Sequence, residues 1–229
     1  MRVEKVVNAR IGVLSPVNLA FPAVKDAFSE LWPEADPICL LDESLYTDFV
    51  NSDFTVQPNL PEEAYTRIAN LFQYSKNTGV DGIIFCGSVF GALVEEGRKA
   101  LDIPVLTSFE GMIEEAFSFG SRIGIVTTAE GSLSCLIDDI NRYADNNLAE
   151  YTIVSEVADG AFQKALDGDI DASDAMVIES ASLVTECDSL MLGQFSMGRV
   201  AQKIINIVEK PVLTAPECAV KKMKRLMEV

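Results

Sequence analysis

This chain predicts an α/β fold: two similar parallel-sheet lobes, related by a pseudo-two-fold, with a site between them. Two observations carry the prediction. The first is internal repetition, since the thirty residues from Asp81 to Glu110 lie without gaps on Asp188 to Glu217 with seven identities, among them Pro104 to Thr107 against Pro211 to Thr214. At nearly the same offset, Ile11-Gly12-Val13-Leu14-Ser15 reads like Ile123-Gly124-Ile125-Val126-Thr127. The second is alternation: short apolar runs of strand length take turns with longer stretches of helical period, the pattern of βαβ units and a parallel sheet. A fused pair of such halves turns equivalent loops toward each other across one ligand.

Strands are expected, in order, at Arg10 to Leu14, Ile38 to Leu41, Gly82 to Phe85, Val105 to Leu106, Arg122 to Val126, Thr152 to Ser155, Ser189 to Leu192 and Val212 to Leu213. Each half is flavodoxin-like in this reading. The stretch Pro61 to Lys76 reads as a helix: Pro61 opens it, Glu62 and Glu63 sit in the first turn where the dipole favours anions, and Gly79 lies just beyond its end. Tyr65, Ile68, Leu71 and Phe72 give it an apolar face. Phe90 to Leu101 and Met197 to Val208 read as helices that follow the two matched strands, and Gly111 to Phe119 as another after the first PVLT run. Each matched unit is therefore a strand, a short turn of small and polar residues, a helix and a strand.

No linker rich in Pro, Gly or Ser divides the chain, so the halves are expected to pack closely. Residues 1–115 are assigned to the first lobe, 116–215 to the second, and 216–229 to a C-terminal helix that returns to the first. The basic run Lys221 to Arg225 suits the last turns of that helix, where cations complement the negative end of its dipole.

With 229 residues and 48% apolar content the chain can bury a substantial core. No apolar stretch reaches the roughly 20 residues of a membrane helix, and the start lacks a signal peptide's apolar segment, so a cytoplasmic location with no membrane partner is expected. A net charge of −17 disfavours nucleic acid, whose binding relies on Lys and Arg against phosphates. The five cysteines are scattered without CxxC spacing, which suggests neither a metal site nor a disulfide framework. Histidine is absent, and with it Ser-His-Asp and Cys-His catalysis. Proton chemistry falls to thiol, carboxylate, amine or phenol.

In open parallel sheets, ligands bind beyond the carboxyl ends of the strands. Four such ends carry small or polar residues here: Ser15-Pro16-Val17-Asn18, Cys86-Gly87-Ser88-Val89, Thr127-Thr128-Ala129-Glu130 and Gly193-Gln194-Phe195-Ser196. Free amides at the following helix starts, helped by the hydroxyls of Ser15, Ser88, Thr127, Thr128 and Ser196, can cradle a carboxylate. The same hydroxyls also serve as ordinary helix caps. None of these turns is a Walker A loop or a GxGxxG, so nucleotide binding is disfavoured. Glu110 and Glu217, matched across the halves, could act as bases if burial raised their pKa, or could cap the next helix. Asp42 and Glu43 follow the second strand, and Tyr46 and Tyr65 are left unplaced.

The halves, the Cys86-Gly87-Ser88 turn, the Leu192-Gly193 turn and the paired IGV and IGI strands together resemble the aspartate/glutamate racemase superfamily, which also holds hydantoin racemases, maleate isomerases and arylmalonate decarboxylases. The resemblance runs from Ile11 to about Val220. It implies cofactor-independent chemistry, with no metal, at the carbon next to the carboxylate of a small amino-acid-like or dicarboxylic compound. Two thiols on opposite faces would take and give a proton while hydrogen bonds stabilise the enediolate between them. This chain departs from that pattern, because Gln194 stands where the second thiol belongs and cannot take a proton. In the first half the ungapped match pairs Cys86 with Gly193 and Gly87 with Gln194, so Cys86 would stand one residue early and could turn into the sheet.

The resulting assignment gives Cys86 the catalytic role and Glu110 a candidate role as second proton carrier. Ser15, Gly87, Ser88, Val89, Thr127, Thr128, Gln194, Phe195 and Ser196 would hold a small anionic substrate. A decarboxylase or carbon-carbon lyase on the same scaffold is the alternative, since it requires a proton donor on one face only. A carboxylate-binding protein without catalysis is the third reading. Self-association into a homo-oligomer is expected.

Overall fold

The computed structural model describes residues 8–51, 55 and 60–227. It contains two four-stranded, all-parallel sheets of identical order, β2-β1-β3-β4 and β6-β5-β7-β8. The first is built from β1 (Arg10–Ser15), β2 (Asp36–Leu41), β3 (Gly82–Phe85) and β4 (Val105–Leu106), the second from β5 (Arg122–Thr127), β6 (Thr152–Val157), β7 (Ser189–Leu192) and β8 (Val212–Thr214). All eight expected strands form, and the register repeats as well: Leu14 pairs with Phe85 in one sheet and Val126 with Leu192 in the other.

The first identity of the repeat explains part of this agreement. The Asp81 carboxylate accepts the Arg10 backbone N–H at 2.8 Å, and the Asp188 carboxylate accepts that of Arg122 at 2.9 Å. Each carboxylate fixes where a central strand begins beside its neighbour. Beyond their leading arginines, β1 and β5 are buried throughout, because helices cover both faces of a parallel sheet.

The helices are α1 (Phe21–Leu31), α2 (Glu43–Phe49), α3 (Glu62–Asn77), α4 (Gly91–Gly97), α5 (Glu110–Phe119), α6 (Glu130–Asn147), α7 (Ala161–Leu166), α8 (Ile170–Leu183), α9 (Ala201–Ile205) and α10 (Ala215–Met227). Outside the first sheet, Ile68 and Phe72 of α3 pack with Leu14, Ile83, Phe85 and Phe90. Outside the second, Val177 of α8 and Ile204 of α9 pack with Val126, Leu190 and Leu192. Between the sheets lies one shared core to which Ile11, Val13 and Ile84 contribute from one side and Ile123, Ile125 and Met191 from the other. Burying these side chains together stabilises each by about 1.5–3 kcal/mol relative to exposure, so the lobes hold each other in place.

Two helices are exchanged between the sheets. Helix α5 lies against β7 and β8 of the second sheet. Helix α10 lies on β3 of the first, so closely that a Cβ added at Gly82 would fall 2.7 Å from the Met223 sulfur. Where α5 and α10 meet, Lys221 pairs with Glu115 at 3.0 Å, Lys222 with Glu110 at 3.4 Å and Arg225 with Glu114 at 3.6 Å. The basic run therefore serves this crossing as well as its own helix end.

The helices expected over Phe90 to Leu101 and Met197 to Val208 open more tightly than a plain α-helix. A 3-10 helix over Ser88–Phe90 precedes α4 and another over Arg98–Ala100 follows it, while a longer one over Phe195–Val200 leads into α9. Tight winding at helix ends is common. Here it occurs where two strands end against the interlobe space. Among the described residues no helix is long and apolar enough to cross a membrane.

Candidate active site between the lobes

A narrow cavity of about 50 Å³ opens between the carboxyl ends of the two sheets. That is room for about four water molecules. Residues of both lobes line it, including Pro16, Val17 and Ala20 after β1, Cys86 to Phe90 after β3, Ala129 and Ser132 after β5, and Gln194 to Ser196 after β7. Ser88 and Val89, like Phe195 and Ser196, begin 3-10 helices, so their amides have no acceptor within the helix, and all four residues line the cavity.

Backbone hydrogen bonds settle how the two turns correspond. Cys86 N–H donates to Leu14 C=O at 2.7 Å, and Gly193 N–H donates to Val126 C=O at 2.8 Å. Since Leu14 and Val126 are equivalent, Cys86 matches Gly193 and Gly87 matches Gln194. The two matched positions then differ completely in what they carry.

Gln194 is 7% exposed and fully engaged on its carbonyl side. Its Oε1 accepts the Thr128 backbone N–H at 2.8 Å and the Thr128 hydroxyl at 2.6 Å. A backbone N–H can only donate, so this contact fixes the amide's orientation and turns Nε2 away from Thr128. Nε2 donates to Ser132 Oγ at 3.3 Å, and Ser132 Oγ lies 3.0 Å from Ser88 Oγ. A hydrogen-bonded chain from Thr128 through Gln194 and Ser132 to Ser88 thus crosses from the second lobe to the first.

On the other side, the Gly87 N–H donates to Ser108 Oγ at 3.0 Å, whose hydroxyl reaches Phe85 C=O at 2.9 Å. A Cβ at Gly87 would sit 2.7 Å from the Phe85 ring, 3.0 Å from the Phe90 ring and 3.1 Å from Pro16 Cδ. The position is closed to any side chain unless the rings shift. It is not a thiol site left empty.

Cys86 borders the cavity, yet its thiol belongs to the shared core together with Ile84, two residues earlier on the same face of the strand. Sγ lies 4.0 Å from Ile84 C=O, the residue is 4% exposed, and burial, with Cys39 nearby, pushes the thiol well above its ordinary pKa. The side chain is a neutral thiol at neutral pH. Tyr46, from α2, lines the opposite part of the cavity, and burial pushes its phenol up to about 12. Its ring meets Phe162 of α7 at 6.3 Å between centroids. Asp36 and Thr152 are equivalent starts of β2 and β6, and Tyr46 and Phe162 follow them at the same spacing. The two lobes therefore touch over the cavity through equivalent aromatic residues.

Several expected ligands lie elsewhere. Ser15 and Thr127 hydroxyls donate to the carbonyls of Val17, at 2.7 Å, and Ala129, at 3.2 Å, closing their own turns. Ser15 also donates to Cys86 C=O at 3.1 Å. Thr128 serves Gln194, and none of the three lines the cavity. Glu110 is corrected outright. Its carboxylate accepts from Arg98 Nη1 at 2.6 Å and lies near Lys222, in a separate polar cleft with Asp139 and Arg142. Two cations hold it as a structural anion away from the interlobe cavity.

Among the expected substrate contacts, the structure brings Gly87, Ser88, Val89, Gln194, Phe195 and Ser196 together. Sequence reasoning missed Ser132 and Phe162 and left Tyr46 unplaced. Ser132 follows β5 as Ala20 follows β1, and both line the cavity. Among the described residues no group of three His, Cys, Asp or Glu could hold a metal ion.

Fold and cleft define a two-lobed α/β protein whose strand ends converge on one anion-sized cavity. A model of the Asp/Glu/Hydantoin racemase family matches residues 21–224, and the chain belongs to that family. No curated protein matches in sequence. Among solved structures, an allantoin racemase from Klebsiella pneumoniae superposes with a TM-score of 0.69 at 18% identity, covering 96% of this chain and 88% of that one. A glutamate racemase from Bacillus anthracis gives 0.71 at 14% identity, with 96% and 82% covered. An aspartate racemase from Picrophilus torridus gives 0.70 at 14%, with 96% and 95% covered. At these identities the likeness is one of fold.

Proposed function

We propose that this chain is an isomerase-type enzyme acting, without a cofactor, at the carbon next to the carboxylate of a small compound held in the interlobe cavity. The convergence of hydrogen-bond donors on that cavity carries the reading. Four helix-start amides, the Ser88, Ser132 and Ser196 hydroxyls and Gln194 Nε2 suit carboxylate oxygens and the enediolate that forms when the α-proton leaves. Cys86 is the thiol on the cavity wall, and serving that carbon requires its side chain to turn out of the shared core. Deuterium uptake at the α-carbon of small carboxylates in heavy water tests the reading by NMR, and Cys86→Ser should abolish it. Exchange that survives Cys86→Ser unchanged would remove the thiol from the mechanism.

One observation favours a second reading. The two titratable side chains on the cavity wall, Cys86 and Tyr46, are both held protonated by burial. A pair of donors suits decarboxylation, in which carbon dioxide leaves with its electrons remaining on carbon and a single proton then quenches the carbanion. Release of carbon dioxide from a 2-substituted malonate, without α-exchange of the product, would select it. A cytoplasmic homo-oligomer accompanies either reading, and light scattering on the purified chain checks the assembly.

A further inference from the structure

The cavity wall can be read for charge as well as shape. Pro16, Val17, Ala20, Val89, Phe90, Ala129, Phe162 and Phe195 make most of it apolar. Its polar part consists of backbone amides, serine hydroxyls, the Gln194 amide, the Tyr46 phenol and the Cys86 thiol. Among the described residues, no carboxylate and no cationic side chain lines it. The acceptor that could have faced a cation, Gln194 Oε1, is consumed by two hydrogen bonds from Thr128 and turned away. What remains is mainly a donor surface. A carboxylate finds partners there, whereas an ammonium meets only neutral hydroxyl oxygens and an apolar wall, with no counter-charge to offset its desolvation.

We infer that the cavity selects carboxylates that carry no ammonium group, and rejects zwitterionic amino acids of the same shape. The inference rests on the proposal that this cavity receives a carboxylate, and it narrows the substrate class that the family resemblance alone would suggest.

An isosteric pair isolates the charge. In 2-methylpropanoate a methyl group occupies the place of the ammonium of alanine, with the carboxylate and the other methyl unchanged. Calorimetric titration of the full chain should give 2-methylpropanoate a Kd at least tenfold below that of either alanine enantiomer. In Gln194→Glu, where a carboxylate supplies the missing counter-charge, that ratio should fall at least threefold in favour of alanine. If wild type binds alanine as tightly as 2-methylpropanoate, the charge selection is wrong while the carboxylate cradle stands. A ratio that Gln194→Glu leaves unmoved also overturns the inference, because the selection would then arise elsewhere. If neither compound binds, or if 2-methylpropanamide binds as well as the acid, the cradle itself fails and the inference with it.

Discussion

The turns after β3 and β7 occupy equivalent places at the ends of equivalent strands, and they differ in almost every side chain. The second lobe carries Gln194, with Thr128 to receive its carbonyl and Ser132 to receive its amide. The first carries Gly87 at the matched position. Pro16, which has no N–H to offer, stands where Thr128 stands, and Ala20 stands where Ser132 stands. A polar side chain at residue 87 would therefore lack both partners that hold Gln194 in place. The two lobes share one strand order, and the side-chain amide with its two partners stands in the second of them. The hydrogen-bonding side chains are correspondingly unequal: the first lobe brings Ser88 and Tyr46 to the cavity, and the second brings Ser132, Gln194 and Ser196.

The sharpest way to break this comparison is to reopen the first-lobe position. Phe90 is fully buried, stacks edge-on against Phe85 at 6.0 Å, and closes the space above Gly87. Phe90→Ala should cost about 3–5 kcal/mol in urea unfolding. Gly87→Cys alone should cost about 1–3 kcal/mol through overpacking. In the double variant the second cost should shrink, giving a coupling of about 1 kcal/mol or more in a double-mutant cycle. Strict additivity would mean that Phe90 is not what closes the site.

Next in size is the seam where Asp139 of α6 faces Gly91 at the start of α4. Burial outweighs the neighbouring Arg142 and, with Glu95 and Asp138 adding repulsion, lifts the Asp139 carboxyl to about 6. A carboxyl with a folded-state pKa above its unfolded value near 4 binds more protons when folded. Its contribution is therefore most favourable below about pH 4 and is lost as pH rises through 6. At pH 7 the ionised group costs about 3 kcal/mol on the scale of 1.36 kcal/mol per pKa unit. Asp139→Asn should recover up to that amount at pH 7 and flatten the stability profile between pH 4 and 6. A profile unchanged by the substitution would show that the charge is solvated.

How much of this could be read from the chain depends on the range of each interaction. The strands were legible because parallel strands covered on both faces leave uninterrupted apolar runs, as in Ile11 to Leu14 and Ile123 to Val126. Their pairing was legible because Asp81 and Asp188 and the PVLT runs recur at a fixed spacing. The one-residue displacement of Cys86 was legible too, since strand alternation places it on the face of Ile84. Glu110 was misplaced because its partners, Arg98 and Lys222, come from outside its own helix, and Lys222 comes from a helix that crosses from the other end of the chain. Ser132 escaped because a serine one turn into a helix carries no local signal of what lies opposite.

Gln194 offers a smaller test of the second lobe. In Gln194→Ala the buried Thr128 N–H and hydroxyl lose their acceptor, and leaving such groups unpaired costs about 1–3 kcal/mol. Thermal unfolding should show the loss, and Gln194→Glu should restore most of it because a carboxylate still accepts from Thr128. If the alanine variant is as stable as wild type, the orientation assigned to the amide is wrong. Any preference for donor-seeking ligands would then need another source.

The smallest effect belongs to Cys86, and it decides how far the first lobe takes part in chemistry at all. A thiol buried in the shared core reacts with alkylating agents only when the core opens, and while the core stays closed burial keeps the thiolate scarce. With iodoacetamide at pH 7.5, mass spectrometry should find Cys39 and Cys135, both partly exposed, labelled first, while Cys86 stays protected until denaturant is added. Saturating carboxylate should leave that order unchanged if the ligand rests against the wall without displacing it. Labelling of Cys86 at the rate of a surface thiol, blocked by the carboxylate, would give the opposite picture. The thiol would then face the substrate, and the two lobes would be more alike in function than their side chains are.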